Sequence, residues 1–212
     1  MYIPAQFAET RPEELARIIA QHPLGMLVTH GAQGLDADHL PFEFDPAVGS
    51  CGQLSAHVAR ANPLWESARQ CPTGLPVMVV FRAAEGYVSP NWYPSKHEAH
   101  RQVPTWNYEV VHAHGLLTVR DDARFVRAMV GRLTRRHEAA EPRPWKMSDS
   151  APEFIDELLR HIVGIEVTLT SLVGKRKLSQ NKDARDHAGV VQALRARGND
   201  ALAQAMGAPG SN

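Results

Sequence analysis

The spacing of its extended segments constrains this chain more than any single motif. Apolar or alternating runs fall at 24–30, 35–44, 52–58, 75–81, 86–89, 108–119 and 165–170, and most are joined by short links. Parallel neighbours need a crossover of roughly a dozen residues or more, usually a helix. Long helical crossovers are too few here, so the pattern argues against a parallel βαβ series. It predicts a mostly antiparallel barrel with peripheral helices, a mainly β, α+β fold. "LGMLVTH" and "LDADHLPFEF" on either side of "GAQG" read as a hairpin. "LPVMVVF" (75–81) suits a strand buried on both faces, and "GYVS" (86–89) reads as a separate strand after a tight connection.

The helices announce themselves by their starts. Thr10 and Glu13 form a capping-box pattern around Pro12, ahead of the apolar face Leu15, Ile18 and Ile19. Asn62 precedes Pro63 as the cap of a short helix. From Asp121 the period turns helical through Phe125, Val126, Met129, Val130 and Leu133. Ser150 and Glu153 repeat the capping box. The stretch from about Asp186 to Met206 reads as one or two small helices before a Gly/Pro/Ser tail. Residues 1–185 are therefore expected to form one domain with inserted and C-terminal helices, and 186–212 a helical segment and flexible tail.

Composition narrows the function. Across 212 residues, 23 basic side chains balance 23 acidic ones. The chain as a whole thus has no net attraction to polyanions or an anionic membrane, which argues against a dedicated nucleic-acid binder. Cys51 and Cys71 are too few for a disulfide framework or a zinc motif, and fit a reducing compartment. No apolar run approaches the roughly 20 residues that span a bilayer. "MYIPAQFAET" lacks the basic and apolar regions of a signal peptide. These features predict a cytoplasmic protein.

Four constellations carry possible chemistry. In "LSAHVARANPLW" (54–65), a strand with His57 leads through Arg60 and Asn62 to a helix start, which suits a phosphate cradle or an ordinary Asn-Pro cap. Pro90-x-Trp92 and Pro104-x-Trp106 place two of only four tryptophans in neighbouring loops. Trp92, Tyr93 and Trp106 offer flat faces; Ser89, Asn91, Thr105 and Asn107 offer donors and acceptors; Lys96 offers charge. That mixture suits a planar heteroaromatic ligand, and equally a barrel rim filled by aromatics. His97/His100 and His112/His114 have one-turn and same-face spacings, compatible with a haem or metal site or with solvated histidines. "GKRKLSQNKDARD" (174–186) sets Lys175 and Lys177 on one strand face with Ser179 as a possible helix cap. It reads as charge for an anion or partner, or as a lysine-protected edge strand.

Taken together, "MYIPAQF", "LSAHVARANPLW", "YVSPNWYPSK", "VPTWNYEVVHAHG" and "GKRKLSQN" resemble, in order and over most of the chain, the PaiB-type proteins. These are described as FMN-binding negative transcriptional regulators. The resemblance implies a split β-barrel of the pyridoxamine-phosphate-oxidase and flavin-reductase group, a two-fold homodimer, and FMN in a groove between subunits. It gives FMN-binding roles to His57, Arg60 and Asn62, with Ser89, Trp92, Lys96, Thr105, Trp106 and Asn107 as ring and ribityl contacts. Arg176 departs from the pattern, where an aromatic is expected, which bears on the dimer seam; the tail after Leu194 matches nothing in it.

Three functions follow from these readings: a flavin-binding regulator, a flavin-dependent oxidoreductase, and a haem- or metal-handling protein. No helix-turn-helix or basic stripe supports direct DNA recognition. No glycine fingerprint for a nicotinamide dinucleotide is present.

Overall fold

A computed structural model describes residues 1–31 and 33–207. Ala32, in the expected hairpin turn, and the expected tail 208–212 lie outside the described residues. The sheet order is β3-β2-β6-β7-β8-β5-β4, with a short strand β1 (Ala8–Glu9) also paired to β8. In chain order the other strands are β2 (Leu24–Gly31), β3 (Gly34–Pro41), β4 (Glu43–Asp45), β5 (Gln53–Ala59), β6 (Leu75–Val88), β7 (Thr105–Arg120) and β8 (Ile162–Lys177). Every pairing whose register is defined is antiparallel. The sheet is not closed. The chain separates into two compact units, Met1–Gln21 with Arg82–Val111 and Val173–Asn212, and His22–Phe81 with His112–Leu172.

The second of these units holds the β2–β3 hairpin, in register from Leu24↔Pro41 to Gly31↔Gly34, and the β5–β8 ladder from Gln53↔Thr168 to Ala59↔Ile162. Alternate residues Leu54, Ala56 and Val58 of β5 and Val163, Ile165 and Val167 of β8 are buried. This is the period-2 burial the sequence alternation predicts. Phe42 and Phe81 meet edge to face with centroids 5.9 Å apart. Gly115 is required by close approach: a Cβ there would lie 2.4 Å from the Thr168 carbonyl oxygen. Helices α2 (Leu64–Arg69), α4 (Ala123–Glu138) and α5 (Pro152–Arg160) belong to this unit. Asp122 caps α4 through the Phe125 N–H at 2.7 Å. Ser150 does not cap α5: Pro152 opens the helix one residue after Ala151, which makes no side-chain cap bond.

The other unit holds α1 (Pro12–Gln21), α3 (Pro94–Ala99), α6 (Ala184–Arg195) and α7 (Asp200–Met206). Tyr93 is fully buried among Val88, Leu178, Val190, Leu194 and Leu202. Helix α6 is capped by Asp183, whose carboxylate accepts the Asp186 N–H at 2.8 Å. The expected cap Ser179 lies instead in a buried turn at φ 64°. The expected strands 75–81 and 86–89 are one strand, β6. Polar residues between them do not break it, because Arg82 and Glu85 pair on its exposed side at 2.5 Å.

Near the start of α1 the expected Thr10/Glu13 box is replaced by Glu9, whose carboxylate accepts the Arg11 N–H at 2.9 Å and its guanidinium at 2.6 Å. These bonds, opposed by burial, hold the Glu9 carboxyl down to about 2. Its folded pKa lies below its unfolded one, so its stabilisation is present above about pH 4.5 and fades as pH falls toward 2. It amounts to about 3 kcal/mol at neutral pH. Urea midpoints at pH 6 and pH 3 are expected to differ less in Glu9→Gln than in the native chain; equal differences would refute this role.

Candidate cofactor site

The aromatic loops belong to the unit that contains α1, α3, α6 and α7. Ser89 accepts the Asn91 N–H at 3.2 Å and sets the turn Pro90–Trp92. Tyr93 then delivers the chain into α3, with Pro94 in the first turn. Its ring is not a ligand-facing platform as the sequence suggested. It is buried, and its hydroxyl has no hydrogen-bond partner in the chain. Burial raises the phenol's pKa, with Ser179 offsetting part of the rise.

β7 begins with Thr105, Trp106 and Asn107. Asn107 is 1% exposed; its amide nitrogen donates to Ser179 Oγ at 2.9 Å, while its Oδ1 is left without a partner. Lys177 Nζ donates to Thr105 Oγ1 and to the Trp106 carbonyl, the latter at 2.7 Å. Burial and the neighbouring Lys175 and Lys182 lower the Lys177 pKa. Trp106 meets Tyr87 edge to face at 6.4 Å, and Tyr87 meets Trp92 in the same way at 6.4 Å.

Two concavities result. One, of about 220 Å³, is lined by Tyr93, Thr105, Asn107, Lys177, Ser179 and Lys182 among others. A larger, open one of about 760 Å³ is lined by Tyr87, Ser89, Asn91, Trp92 and Arg197 among others. In it the Arg197 guanidinium lies 4.6 Å over the Trp92 ring. Thr105 and Asn107 thus share one site, and Ser89 and Trp92 the other. Lys96 sits half-buried on α3 and is in neither lining.

His57, Arg60 and Asn62 belong to the other unit. His57 lies opposite Gly164 in the β5–β8 ladder; burial lowers its pKa, and its Nδ1 has no partner. The Arg60 fork is filled: its nitrogens reach Asp121 at 3.0 and 2.6 Å, the Arg160 carbonyl at 2.8 Å and the Ile162 carbonyl at 3.2 Å. That pair raises the Arg60 pKa and lowers the Asp121 pKa. Asn62 accepts the Leu64 N–H at 2.8 Å and donates to Asp38 at 2.8 Å; it stands one residue before the cap position of α2, which Pro63 occupies without a side-chain bond. The His112 and His114 rings are tilted with centroids 6.4 Å apart. Among the described residues, no group of three or more His, Cys, Asp or Glu could hold a metal ion.

The smaller cavity suits part of a phosphorylated cofactor. Two ammonium groups, a phenol and a buried amide with an unused oxygen converge on it, matching the charge and hydrogen-bonding capacity of FMN's polar portions. Its 220 Å³ is below the roughly 300 Å³ at which small-molecule pockets begin, so it has room for only a portion of FMN. Sequence reasoning missed the convergence of Lys177 and Lys182 on Tyr93. Their phrase, "GKRKLSQNKDARD", read as charge for an anion or partner or as a lysine-protected edge strand, with no sign that Lys182 would lie over Tyr93.

Residues 1–171 match the family described as "Putative FMN-binding domain". The chain belongs to that family. Relatives of this FMN-binding family member include an uncharacterized protein of Aspergillus fumigatus, 31% identical over 94% of this chain and 93% of its own. The "Protease synthase and sporulation protein PAI 2" of Bacillus subtilis is 28% identical over 92% of this chain and 89% of its own. Among solved structures, the "FAD and Heme binding protein" of Mycobacterium smegmatis superposes with a TM-score of 0.57 at 17% identity, covering 85% of this chain and 78% of that one. The fold is the split β-barrel that the PaiB resemblance implies, and the cofactor of this FMN-binding protein is FMN.

Proposed function

We propose that this protein is a cytoplasmic PaiB-type negative transcriptional regulator that works as a homodimer and binds FMN in a groove between subunits. Family membership and the likeness to the Bacillus subtilis PAI 2 protein support the class. The observation that carries the dimer is a pair of exposed aromatic rings in contact within one unit: Trp106, 49% exposed, meets Tyr87, 47% exposed, edge to face. Large exposed apolar groups of this kind mark surfaces that a partner or ligand covers. A facing subunit supplies what the 220 Å³ cavity lacks in volume.

Bound FMN supplies a ring system that takes up electrons; the protein's part is binding, orientation and electrostatics. Within this proposal Ser89, Trp92, Lys96, Thr105, Trp106 and Asn107 contact bound FMN. Proline at 90 and 104 limits the ordering entropy lost on binding. His57, kept neutral by burial, offers a hydrogen bond without adding charge; Arg60 and Asn62 frame the helix start beside it.

Freshly purified protein is expected to be yellow, or to take up FMN with quenched flavin fluorescence, at about twice the 23.4 kDa of one chain. A colourless monomer that ignores FMN in calorimetry would overturn the proposal. Sustained NAD(P)H oxidation by the FMN-loaded protein would move it to the flavin-dependent oxidoreductases instead.

A further inference from the structure

The cavity beside Tyr93 combines features that rarely occur together without a ligand. Lys177 and Lys182 line it, and their ammonium groups bond to neutral oxygens: Thr105 Oγ1 and the Trp106 carbonyl for one, Gln102 Oε1 at 2.6 Å for the other. Lys175, nearby, bonds to the Tyr2 carbonyl at 3.2 Å. The Lys182 ammonium also lies 4.9 Å over the Tyr93 ring. The carboxylate that bears on this cluster is Asp186, and it is already engaged by the Ser95 N–H at 3.0 Å, Ser95 Oγ at 2.6 Å and Gln102 Nε2 at 3.1 Å.

Two fully buried polar groups complete the lining. The Tyr93 hydroxyl is buried beside Ser179 and has no partner within hydrogen-bonding geometry, an arrangement that costs free energy unless a ligand completes it. Asn107 spends its amide nitrogen on Ser179 Oγ and leaves Oδ1 unused. A hydroxyl can donate as well as accept, so a half-turn of the amide satisfies Ser179 through Oδ1 and, in exchange for the 3.7 Å contact to Met206 Sδ, frees both amide hydrogens for a ligand. Cations short of counter-charge, facing neutral donors in a small desolvated space, are what an oxyanion requires.

We infer that this cavity is a phosphate site, with Lys177 and Lys182 as its cations and the Tyr93 hydroxyl and Asn107 amide as its neutral donors. The occupant is the phosphate of FMN, which rests on the function proposed above, or inorganic phosphate, which does not. Arg60 is the poorer phosphate ligand, because Asp121 and two backbone carbonyls already fill its fork.

The test measures FMN, riboflavin and inorganic phosphate binding by calorimetry on the full chain, on Lys177→Met and on Arg60→Leu. Phosphorus NMR of added phosphate gives an independent readout, and circular dichroism checks folding. Lys177→Arg guards against a variant that fails for structural reasons. If FMN is the occupant, the native chain prefers it to riboflavin, and Lys177→Met weakens FMN by roughly 10- to 100-fold. Riboflavin affinity is then unchanged, and Lys177→Arg regains most of the loss. If free phosphate is the occupant, it binds the native chain and not Lys177→Met, whether or not flavin binds. Flavin binding without phosphate discrimination, or discrimination lost in Arg60→Leu and kept in Lys177→Met, overturns the site while leaving the FMN function standing. Failure of all three ligands to bind overturns both.

Discussion

Arg176→Phe is expected to destabilise the fold by about 3–5 kcal/mol, although an aromatic is what the family pattern places there. The guanidinium is largely buried and serves three carboxylates, Glu109 at 2.7 Å, Glu9 at 3.4 Å and Glu14 at 3.7 Å. It also donates to the Ala205 carbonyl at 3.1 Å, tying the end of α7 to β8. Glu109 is 3% exposed and would keep Arg17 alone, at 3.4 Å. Removing Arg176 leaves Glu109 buried with one distant counter-ion and Glu9 with Arg11 alone, so the charge is under-compensated and the loss exceeds that of a surface pair. Urea denaturation measures it. Adding Glu109→Gln to Arg176→Phe should recover part of the loss. A midpoint unchanged by Arg176→Phe would show that the cluster contributes nothing net.

Deleting residues 184–212 should have a larger effect, the loss of ordered structure in the unit that contains Tyr93. Val190, Leu194, Leu202 and Met206 are buried against Tyr93, Val88 and Leu178. At about 1.5–3 kcal/mol for each such side chain, the four together contribute about 6–12 kcal/mol. That rivals the whole net stability of a typical domain, about 5–15 kcal/mol. Helix α6 also fixes the aromatic loop, since a Cβ on Gly189 would stand 2.3 Å from the Trp92 carbonyl oxygen. The expected result is a truncated chain with lost near-ultraviolet dichroism and no saturable FMN uptake. A truncated protein that melted cooperatively at the native temperature would refute it. The family match stops at residue 171, so membership alone gives no sign that the C-terminal helices matter.

These two cases mark where sequence reading succeeded and where it stopped. Alternation in 52–58 and 165–170 located two strands and their buried faces, because a period of two is imposed locally by the pleat. The polar stretch between 81 and 86 looked like a break, because the pairing of Arg82 with Glu85 that lets it continue as strand is invisible in the pattern. The capping boxes failed in detail for a similar reason: Glu9 rather than Thr10 holds the chain just before α1, and α5 opens at Pro152 without a side-chain cap. Around the 220 Å³ cavity, residue types singled out Thr105 and Asn107, but gave no sign that Lys177 and Lys182 would share their lining. The departure at Arg176 was visible; its compensation by glutamates at 9, 14 and 109 depends on long-range contacts.

Ser179 adopts a positive φ that glycine tolerates far better, yet its hydroxyl is what Asn107 holds. Backbone comfort and recognition therefore pull this one position in opposite directions. Glycine would relax the turn and release the amide to rotate idly; any bulkier residue would tighten the conflict. A lineage refining this protein for heat resistance would have to trade away the Asn107 contact there, or leave the discomfort in place.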